Sequence, residues 1–93
     1  MSKYQIRQTS QFKKDLKRLI KQGNDMEKLA EVVDTLISGN ALDSKYKDHP
    51  LSNNWTGFRD CHIAPDWVLV YKIQSDVLIL TLTRSGSHSE LRL

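Results

Sequence analysis

Three histidines lie in the second half of this chain, each beside a turn or a chain end: His49, His62 and His88. An ordinary histidine has a pKa of about 6.5, so near neutral pH it can act as a general base or a general acid. Asp66 lies in the turn after the segment that carries His62, and Arg84 ends the last apolar segment. If these segments are adjacent strands, their ends converge, and the five side chains can form one site.

Metal-free cleavage of RNA is one reaction that such a set can perform. It needs a base for the 2′-hydroxyl proton, an acid for the leaving 5′-oxygen, and a cation beside the phosphate. The histidines and Asp66 can move and orient the protons, and Arg84 can contact a phosphate through two N–H groups. The same residues also fit structural roles or a zinc site. Because no HxH, HxxxH or HxxE spacing supports a preformed metal site, we predict neither metal nor cofactor.

The charged residues are unevenly distributed, although the net charge is only +3. Residues 1–22 carry seven basic side chains against one acid, and residues 23–44 carry five acids against one lysine. A basic stripe is typical of a surface that binds phosphates, and equally of a solvated helix face. An aromatic ring can stack on a base, although in an apolar segment it more often packs in the core. The residues that we predict to bind RNA are Lys45, Lys47, Arg59 and Trp67.

The length and composition restrict the class of protein. We predict one domain over residues 1–93, because a chain of this length has no room for a second core. No apolar run is long enough for a membrane span, and the N-terminal residues lack the apolar region of a signal peptide. Cys61 is the only cysteine, so no internal disulfide can form, and we expect a cytoplasmic protein.

The first half of the chain has the pattern of one short strand and two amphipathic helices. Residues 4–7 alternate between apolar and polar, and Thr9-Ser10 can cap a helix that ends at Gly23. Asn24, followed by Glu27, resembles the start of a second helix. The predicted apolar stripes are Phe12, Leu16, Leu19 and Ile20 in the first helix, and Met26, Leu29, Val33, Leu36 and Ile37 in the second.

The second half has the pattern of a strand meander. Residues 58–63, 67–72 and 77–83 are rich in β-branched and aromatic residues and are separated by polar turns. Residues 84–88 follow as a polar segment, which we expect to be a flexible tail. The sequence therefore predicts an α+β domain in which two antiparallel N-terminal helices pack on one face of a twisted antiparallel sheet.

Four blocks make the second half specific: YKDHPL at 46–51, WTGFRDCHI at 55–63, PDWVLVYK at 65–72 and RSGSHSEL at 84–91. In residues and in spacing they resemble the YafQ branch of the RelE/ParE toxin superfamily, and the two helices stand where that family has them. The resemblance implies a small RelE-like fold and ribosome-dependent cleavage of mRNA in the A site, which leaves a 2′,3′-cyclic phosphate and a 5′-hydroxyl. It implies no cofactor and no metal. The chain departs from related sequences at Arg92-Leu93, where they often end in an aromatic residue.

The resemblance also assigns roles to residues. The catalytic positions that it implies are His49, His62, Asp66 and His88, with Arg84 and Trp67 as contributors. We expect His88 and His62 to be the acid–base pair and His49 to orient substrate or share proton transfer. Asp66 then orients a histidine, and Arg84 neutralises the scissile phosphate.

The partners that the resemblance implies are a cognate antitoxin and a ribosome with mRNA in its A site. We expect a heterotetramer with the antitoxin, a monomer when the toxin is alone, and no membrane partner. Two other functions fit part of the sequence: a non-catalytic module that binds RNA or the ribosome, and a ParE-like toxin that acts on DNA gyrase. The histidines argue against the gyrase toxin, because poisoning gyrase needs no acid–base set.

Overall fold

The computed structural model describes residues 2–93 as an α+β fold. In chain order its elements are β1 (Gln5–Gln8), α1 (Ser10–Lys21), α2 (Met26–Ile37), β2 (His49–Pro50), β3 (Arg59–Ala64), β4 (Trp67–Gln74), β5 (Ile79–Gly86) and α3 (His88–Leu91). Two short 3-10 turns, Ser44–Tyr46 and Asn53–Trp55, lie on either side of β2. Within residues 2–93, no helix combines the length and the apolar character that crossing a membrane requires.

Helix α1 begins where the sequence predicts, because Thr9 caps it. The Thr9 hydroxyl oxygen accepts a hydrogen bond from the Phe12 N–H at 3.0 Å, which satisfies one free donor of the first turn. The start of α2 differs from the prediction, since its cap is Asp25 rather than Asn24. The Asp25 carboxylate accepts from the Glu27 N–H at 3.1 Å, whereas Asn24 donates its side-chain amide to a carbonyl near the end of α1 at 3.2 Å.

The buried face of α1 is not the predicted apolar stripe. Phe12 is 1% exposed and Leu19 is 2% exposed, but Ile20, which we predicted on this face, is 61% exposed. Asp15 lies on the buried face instead and is 1% exposed. Burying a charge is unfavourable unless the charge is paired, so the position of Asp15 requires partners from elsewhere in the fold. In α2 the buried residues are Leu29, Val32 and Leu36.

The sheet is mixed, and its strand order is β1-β5-β4-β3-β2. The prediction of a wholly antiparallel sheet is wrong, because β1 pairs with β5 in parallel, from Gln5 opposite Ile79 to Gln8 opposite Leu82. The other neighbouring strands are antiparallel. A parallel pair of strands needs a long connection, which the segment between β1 and β5 supplies here. The sequence could not reveal the parallel pairing, because apolar and polar residues alternate in the same way in parallel and antiparallel strands. The antiparallel orientation of α1 and α2 stays a prediction.

The sheet has a large core on its helix side and a smaller one on its other face. In β4, Trp67, Leu69 and Tyr71 belong to the cluster packed with α1 and α2. Val68 and Val70 belong to a second cluster, which also contains Leu91 of α3 together with Leu51, Trp55 and Phe58. Successive residues of a strand point to opposite faces, so this division follows from the pleat.

The C-terminal segment is not the flexible tail that we predicted. Strand β5 continues to Gly86, and α3 follows immediately. Ser87 caps α3 in a capping box: its hydroxyl accepts from the Glu90 N–H, and the Glu90 carboxylate accepts from the Ser87 N–H. Leu91 is 4% exposed, so the apolar residue at the end of the segment holds it against the sheet.

Candidate active site

His62 lies on the face of the sheet opposite the large core. It pairs with Val68 across β3 and β4, and Asp60 pairs with Val70. Both valines belong to the smaller cluster, so His62 and Asp60 share that face. A β-bulge at Ile63 follows His62 directly. Bulges bend a strand and redirect its side chains, and they are frequent beside functional sites.

His88 reaches the same place from β5, on the other side of β4, because Val68 pairs with both His62 and Gly86. It is the first residue of α3, and its ring centroid lies 5.1 Å from that of His62, with the planes tilted by 59°. Asp66, in the turn between β3 and β4, places Oδ1 3.4 Å from Nδ1 of His88. The structure therefore brings together three of the predicted residues, which are widely separated in the sequence.

His49 lies at the same edge through the pairing of β2 with β3, where it is opposite Asp60. Its Nε2 is 3.1 Å from Oδ1 of Asp60, and its Nδ1 is 2.8 Å from the carbonyl oxygen of Lys47. The Asp60 side chain is 4% exposed, and among the described residues Oδ1 has no donor with hydrogen-bond geometry. His49 and Asp60 are thus within ion-pair distance of each other, but the geometry is not that of a hydrogen bond.

Asp60 is the buried acid of this cluster. Burial raises the pKa of its carboxyl above the usual range, and the nearby His49, His62 and His88 act in the opposite direction. A buried carboxylate with a perturbed pKa and histidines around it is a candidate for a functional residue. No local pattern singles out Asp60, because within the strand it is one polar residue among alternating positions.

A second group of polar side chains holds the loop before His49. Asp48 accepts hydrogen bonds from Arg59 Nε at 3.3 Å and Nη2 at 3.2 Å, and it also accepts one from the Tyr71 hydroxyl. Burial and the bond to Asp48 raise the pKa of Tyr71 far above its usual value, so the phenol stays a donor. Arg59, which we predicted to bind RNA, is therefore engaged by Asp48, although its side chain is 40% exposed.

The two predicted lysines line one groove on the surface of the protein. Lys45 and Lys47 are both exposed, and the groove has a volume of about 530 Å³. His62 lies at one wall of this groove. The other residues that line it are Lys28, Glu31, Tyr46, Ile63, Ala64 and Pro65.

Arg84 is not placed with the histidines in any contact between described residues. Its Nε donates to Oδ2 of Asp15 at 2.8 Å, and its Nη2 donates to Oδ1 at 3.2 Å. Asp15 also accepts from Arg18 at 2.9 Å and from the Ser85 N–H at 3.0 Å. Burial alone raises the pKa of Asp15, but these hydrogen bonds outweigh burial and hold the pKa below its usual range. Two N–H groups of Arg84 are thus committed to α1 rather than to a phosphate.

Trp67, which we predicted to contact RNA, is a core residue. It is 5% exposed, it belongs to the cluster packed with α1 and α2, and its Nε1 donates to the Ser85 hydroxyl at 3.0 Å. A buried indole has no free face on which a base can stack. The position of Trp67 follows from the pleat, because Trp67 and His62 belong to opposite faces of neighbouring strands.

The described residues of the site form no preformed metal centre. Among residues 2–93, no three histidine, cysteine or carboxylate side chains are grouped closely enough to hold a metal ion together. The lone thiol of Cys61 is buried on the helix side of the sheet, and burial raises its pKa to about 12. It is therefore not a reactive nucleophile at neutral pH.

Known proteins are similar to this chain in sequence and in fold. The family model for the bacterial toxin of type II toxin–antitoxin systems, YafQ, matches residues 4–93. The mRNA interferase toxin YafQ of Escherichia coli BL21-DE3 is 41% identical over 87 residues, which cover 92% of each chain.

Solved structures agree with this match. YafQ in the crystal structure of the E. coli DinJ–YafQ complex is 40% identical, with a TM-score of 0.88, over 95% of this chain and 97% of that one. A metal-bound toxin from Helicobacter pylori is 46% identical, with a TM-score of 0.89, over 95% of this chain and 98% of that one. The chain therefore belongs to the YafQ family of bacterial toxins of type II toxin–antitoxin systems.

Proposed function

We propose that this toxin is an endoribonuclease that cuts mRNA on the ribosome by metal-free acid–base catalysis. The observation that carries the proposal is the convergence of His62, His88 and Asp66. The imidazole rings of the two histidines lie 5.1 Å apart, and His62 lines the same groove as Lys45 and Lys47. Two imidazoles at this separation can act on the attacking oxygen and on the leaving oxygen of the same phosphodiester. The similarity to the mRNA interferase toxin YafQ of E. coli supports the choice of RNA as the substrate.

In the proposed reaction one imidazole of the His62–His88 pair takes the proton from the ribose 2′-hydroxyl. The 2′-oxygen then forms a bond to phosphorus, and the bond from phosphorus to the 5′-oxygen breaks. The other imidazole gives a proton to that 5′-oxygen, so the products are a 2′,3′-cyclic phosphate and a 5′-hydroxyl. Asp66 orients His88 through the contact at Nδ1, which leaves Nε2 for the substrate.

His49 and Asp60 support this pair from the adjacent strand. Oδ1 of the buried Asp60 carboxylate lies 3.1 Å from Nε2 of His49, and His62 and His88 also influence the pKa of Asp60. A carboxylate charge beside these rings stabilises the imidazolium that forms when a histidine accepts a proton. His49, held by Asp60 and by the carbonyl of Lys47, is placed to orient the ribose or to share the proton transfer.

The lysines of the groove are proposed to hold the RNA backbone on either side of the cut. Lys45 and Lys47 are exposed and carry no salt bridge among the described side chains, so both can face phosphates. We assign Arg84 a different role from the one that the sequence suggested. Because its bonds to Asp15 tie the end of β5 to α1, it fixes the backbone that leads to His88.

The proposed partners are a cognate antitoxin and the ribosome. The antitoxin is supported by the E. coli DinJ–YafQ complex, whose toxin has nearly the same fold. The exposed lysines of α1, Lys13, Lys14, Lys17 and Lys21, offer a positive surface for acidic segments of that antitoxin. We propose that toxin and antitoxin form a heterotetramer, that the free toxin is a monomer, and that it acts on cytoplasmic ribosomes.

Primer extension on mRNA from cells that express the toxin tests this function. We expect new, discrete 5′ ends within minutes of induction, located inside translated regions, because the ribosome presents the RNA. A reporter mRNA whose start codon is removed is the matched control and should stay intact. Coexpression of the antitoxin should suppress the new ends.

The alternative functions predict different results in the same experiment. A module that only binds RNA or the ribosome stops growth without new 5′ ends. A toxin that acts on DNA gyrase leaves mRNA intact and produces DNA breaks. Cleavage that is equally strong on the untranslated reporter would contradict the ribosome-dependent part of the proposal.

Asp60→Asn separates the functional role of the buried acid from a structural one. Since burial raises the pKa of Asp60, its ionised form is unfavourable in the folded state. The resulting loss of stability begins as pH rises above the unfolded pKa of about 3.9 and is complete once pH exceeds the raised folded pKa. We therefore expect the variant to be at least as stable as the unmodified protein at pH 7, and its relative stability to increase between about pH 4 and pH 7. Cleavage should fall by about 10-fold or more, because the histidines lose their counter-charge.

Urea unfolding across this pH range and a ribosome cleavage assay measure the two effects. The exposed Asp76→Asn, in the turn after β4, is the matched control and should change neither. A variant that is clearly less stable than the unmodified protein at pH 7 would show that Asp60 is held by favourable pairing and is a structural residue.

A further inference from the structure

Arg18 links α1 to the C-terminal segment through several acceptors. Its Nη1 donates to Asp15 at 2.9 Å, and its Nη2 donates to the carbonyl oxygen of Ser85 at 2.8 Å. Its Nε lies 3.0 Å from Oε2 of Glu90, as an ion pair. The guanidinium thus contacts α1, the end of β5 and α3 at once, and it lies outside the set of histidines described above.

Glu90 connects this arginine to the first turn of α3. Its Oε1 accepts from the Ser87 N–H at 2.9 Å, and its Oε2 faces Arg18 and also Gln22, at 3.4 Å. The Ser87 N–H, with help from Gln22 and Arg18, holds the pKa of Glu90 below its usual range, so the carboxylate is charged at neutral pH. His88 follows the Ser87 cap directly as the first residue of α3, and therefore any movement of the cap moves His88.

The backbone at Gly86 is adapted to the same contact. A Cβ atom added to Gly86 would lie 2.5 Å from Nη2 of Arg18 and 3.1 Å from Oε1 of Glu90. Gly86 is not one of the described glycines with a positive φ. Glycine is therefore required here because a larger side chain would not fit, and not because of the backbone dihedral angle. The guanidinium is itself held by Ser85 and Asp15, and it cannot simply move aside.

Helix α3 needs such support because it has only four residues. A helix this short has no stability of its own in water, so its position depends on contacts with the rest of the fold. Leu91 holds its far end against the sheet. The near end, which carries His88, is held by the cap and by Arg18.

We propose that Arg18, acting through Glu90, is a positioning residue that keeps the imidazole of His88 in register with that of His62. The inference rests on the proposed ribonuclease activity for its catalytic consequence. Its structural part, the effect of Arg18 on His88, holds independently of any activity. An error of about 1 Å in the placement of a reacting group can reduce a rate by about 100-fold.

The test replaces Arg18 and follows both His88 and the reaction. In Arg18→Ala we expect kcat for ribosomal cleavage to fall by about 10- to 100-fold with little change in KM, because substrate binding does not involve this residue. In the NMR spectrum of the free toxin, the ring signals of His88 should shift or broaden and those of His49 should stay. Arg18→Lys should recover only part of kcat, since one ammonium cannot keep the contacts of a planar guanidinium.

Glu90→Gln keeps the proposal testable if Arg18→Ala fails to fold. Glutamine preserves the oxygen that caps α3, but it removes the charge that faces Arg18. We expect kcat to fall and the His88 signals to change as in Arg18→Ala, but by less. In the double variant, the fold-reduction in kcat should be smaller than the product of the two single fold-reductions. Arg7→Ala, an exposed arginine on β1, is the matched control and should leave kcat and the spectrum unchanged.

Each outcome decides between the two proposals. Unchanged His88 signals in Arg18→Ala and in Glu90→Gln overturn the positioning role, whether or not kcat falls. Altered His88 signals with the expected fall in kcat support it. If the unmodified toxin cleaves no mRNA, the proposed function is overturned. Altered His88 signals in the variants would still support the positioning of His88 by Arg18 in that case.

Discussion

Replacing His88 with glutamine should reduce mRNA cleavage by about 10²- to 10⁴-fold while the protein stays folded. Glutamine can still donate to Asp66, but it cannot take up and release a proton near neutral pH. The His88 side chain is 40% exposed, so its loss should change the free energy of unfolding by no more than about 0.5 kcal/mol. In vitro cleavage on programmed ribosomes, together with urea unfolding, measures the two quantities.

The neighbouring Ser89→Ala is a suitable control for this variant, because Ser89 lies in the same short helix and is exposed. It should cleave at the unmodified rate. Cleavage by His88→Gln at the normal rate would exclude His88 from proton transfer. Growth arrest that persists in His88→Gln after cleavage has stopped would favour the non-catalytic RNA- or ribosome-binding module over the nuclease.

Replacing Asp15 with asparagine should destabilise the fold by about 2–3 kcal/mol at pH 7. The Asp15 carboxylate is almost fully buried and accepts from Arg84, from Arg18 and from the Ser85 N–H. Removing one partner of a buried ion pair costs about 3–5 kcal/mol. The side chains of Arg84 and Arg18 are 25% and 31% exposed, so solvent reduces the expected cost. Urea unfolding at pH 7 measures it.

The pH dependence of this effect has a defined sign. The pKa of Asp15 is lowered in the folded state, so its contribution is complete above the unfolded pKa of about 3.9 and is lost as pH falls through the folded value. The stability difference between Asp15→Asn and the unmodified protein should therefore shrink at acid pH. Asp34→Asn, an exposed aspartate of α2, is the control and should change stability by at most about 0.5 kcal/mol. A difference that stays constant down to pH 2 would contradict the assignment.

The two buried aspartates thus behave in opposite ways. Asp15 accepts hydrogen bonds from two arginines and so links α1 to the end of β5. Asp60 has histidines as its neighbours, and its Oδ1 atom accepts no hydrogen bond among the described residues. The opposite directions of their pKa shifts express this difference. Asparagine at the first position should weaken the fold, and asparagine at the second should weaken the chemistry.

The sequence by itself determined much of the local structure, because local signals depend on few residues. Thr9 caps α1, and Gly23 follows that helix with a φ of 78°, both as predicted. The class of the fold, α+β, follows from the change of apolar period between the two halves. The histidines could be singled out as candidates because their chemistry is a property of the residue type.

Only the tertiary structure decided which of these residues meet and which are already engaged. The parallel pairing of β1 with β5 joins segments more than 70 positions apart, and no local pattern encodes it. The bulge at Ile63 and the pleat separate His62 from Trp67, so one faces the site and the other the core. Arg84 has the right chemistry for a phosphate, but long-range contact with Asp15 commits two of its N–H groups elsewhere. The physical reason is that a side chain's type is local, whereas its burial and its partners belong to the whole fold.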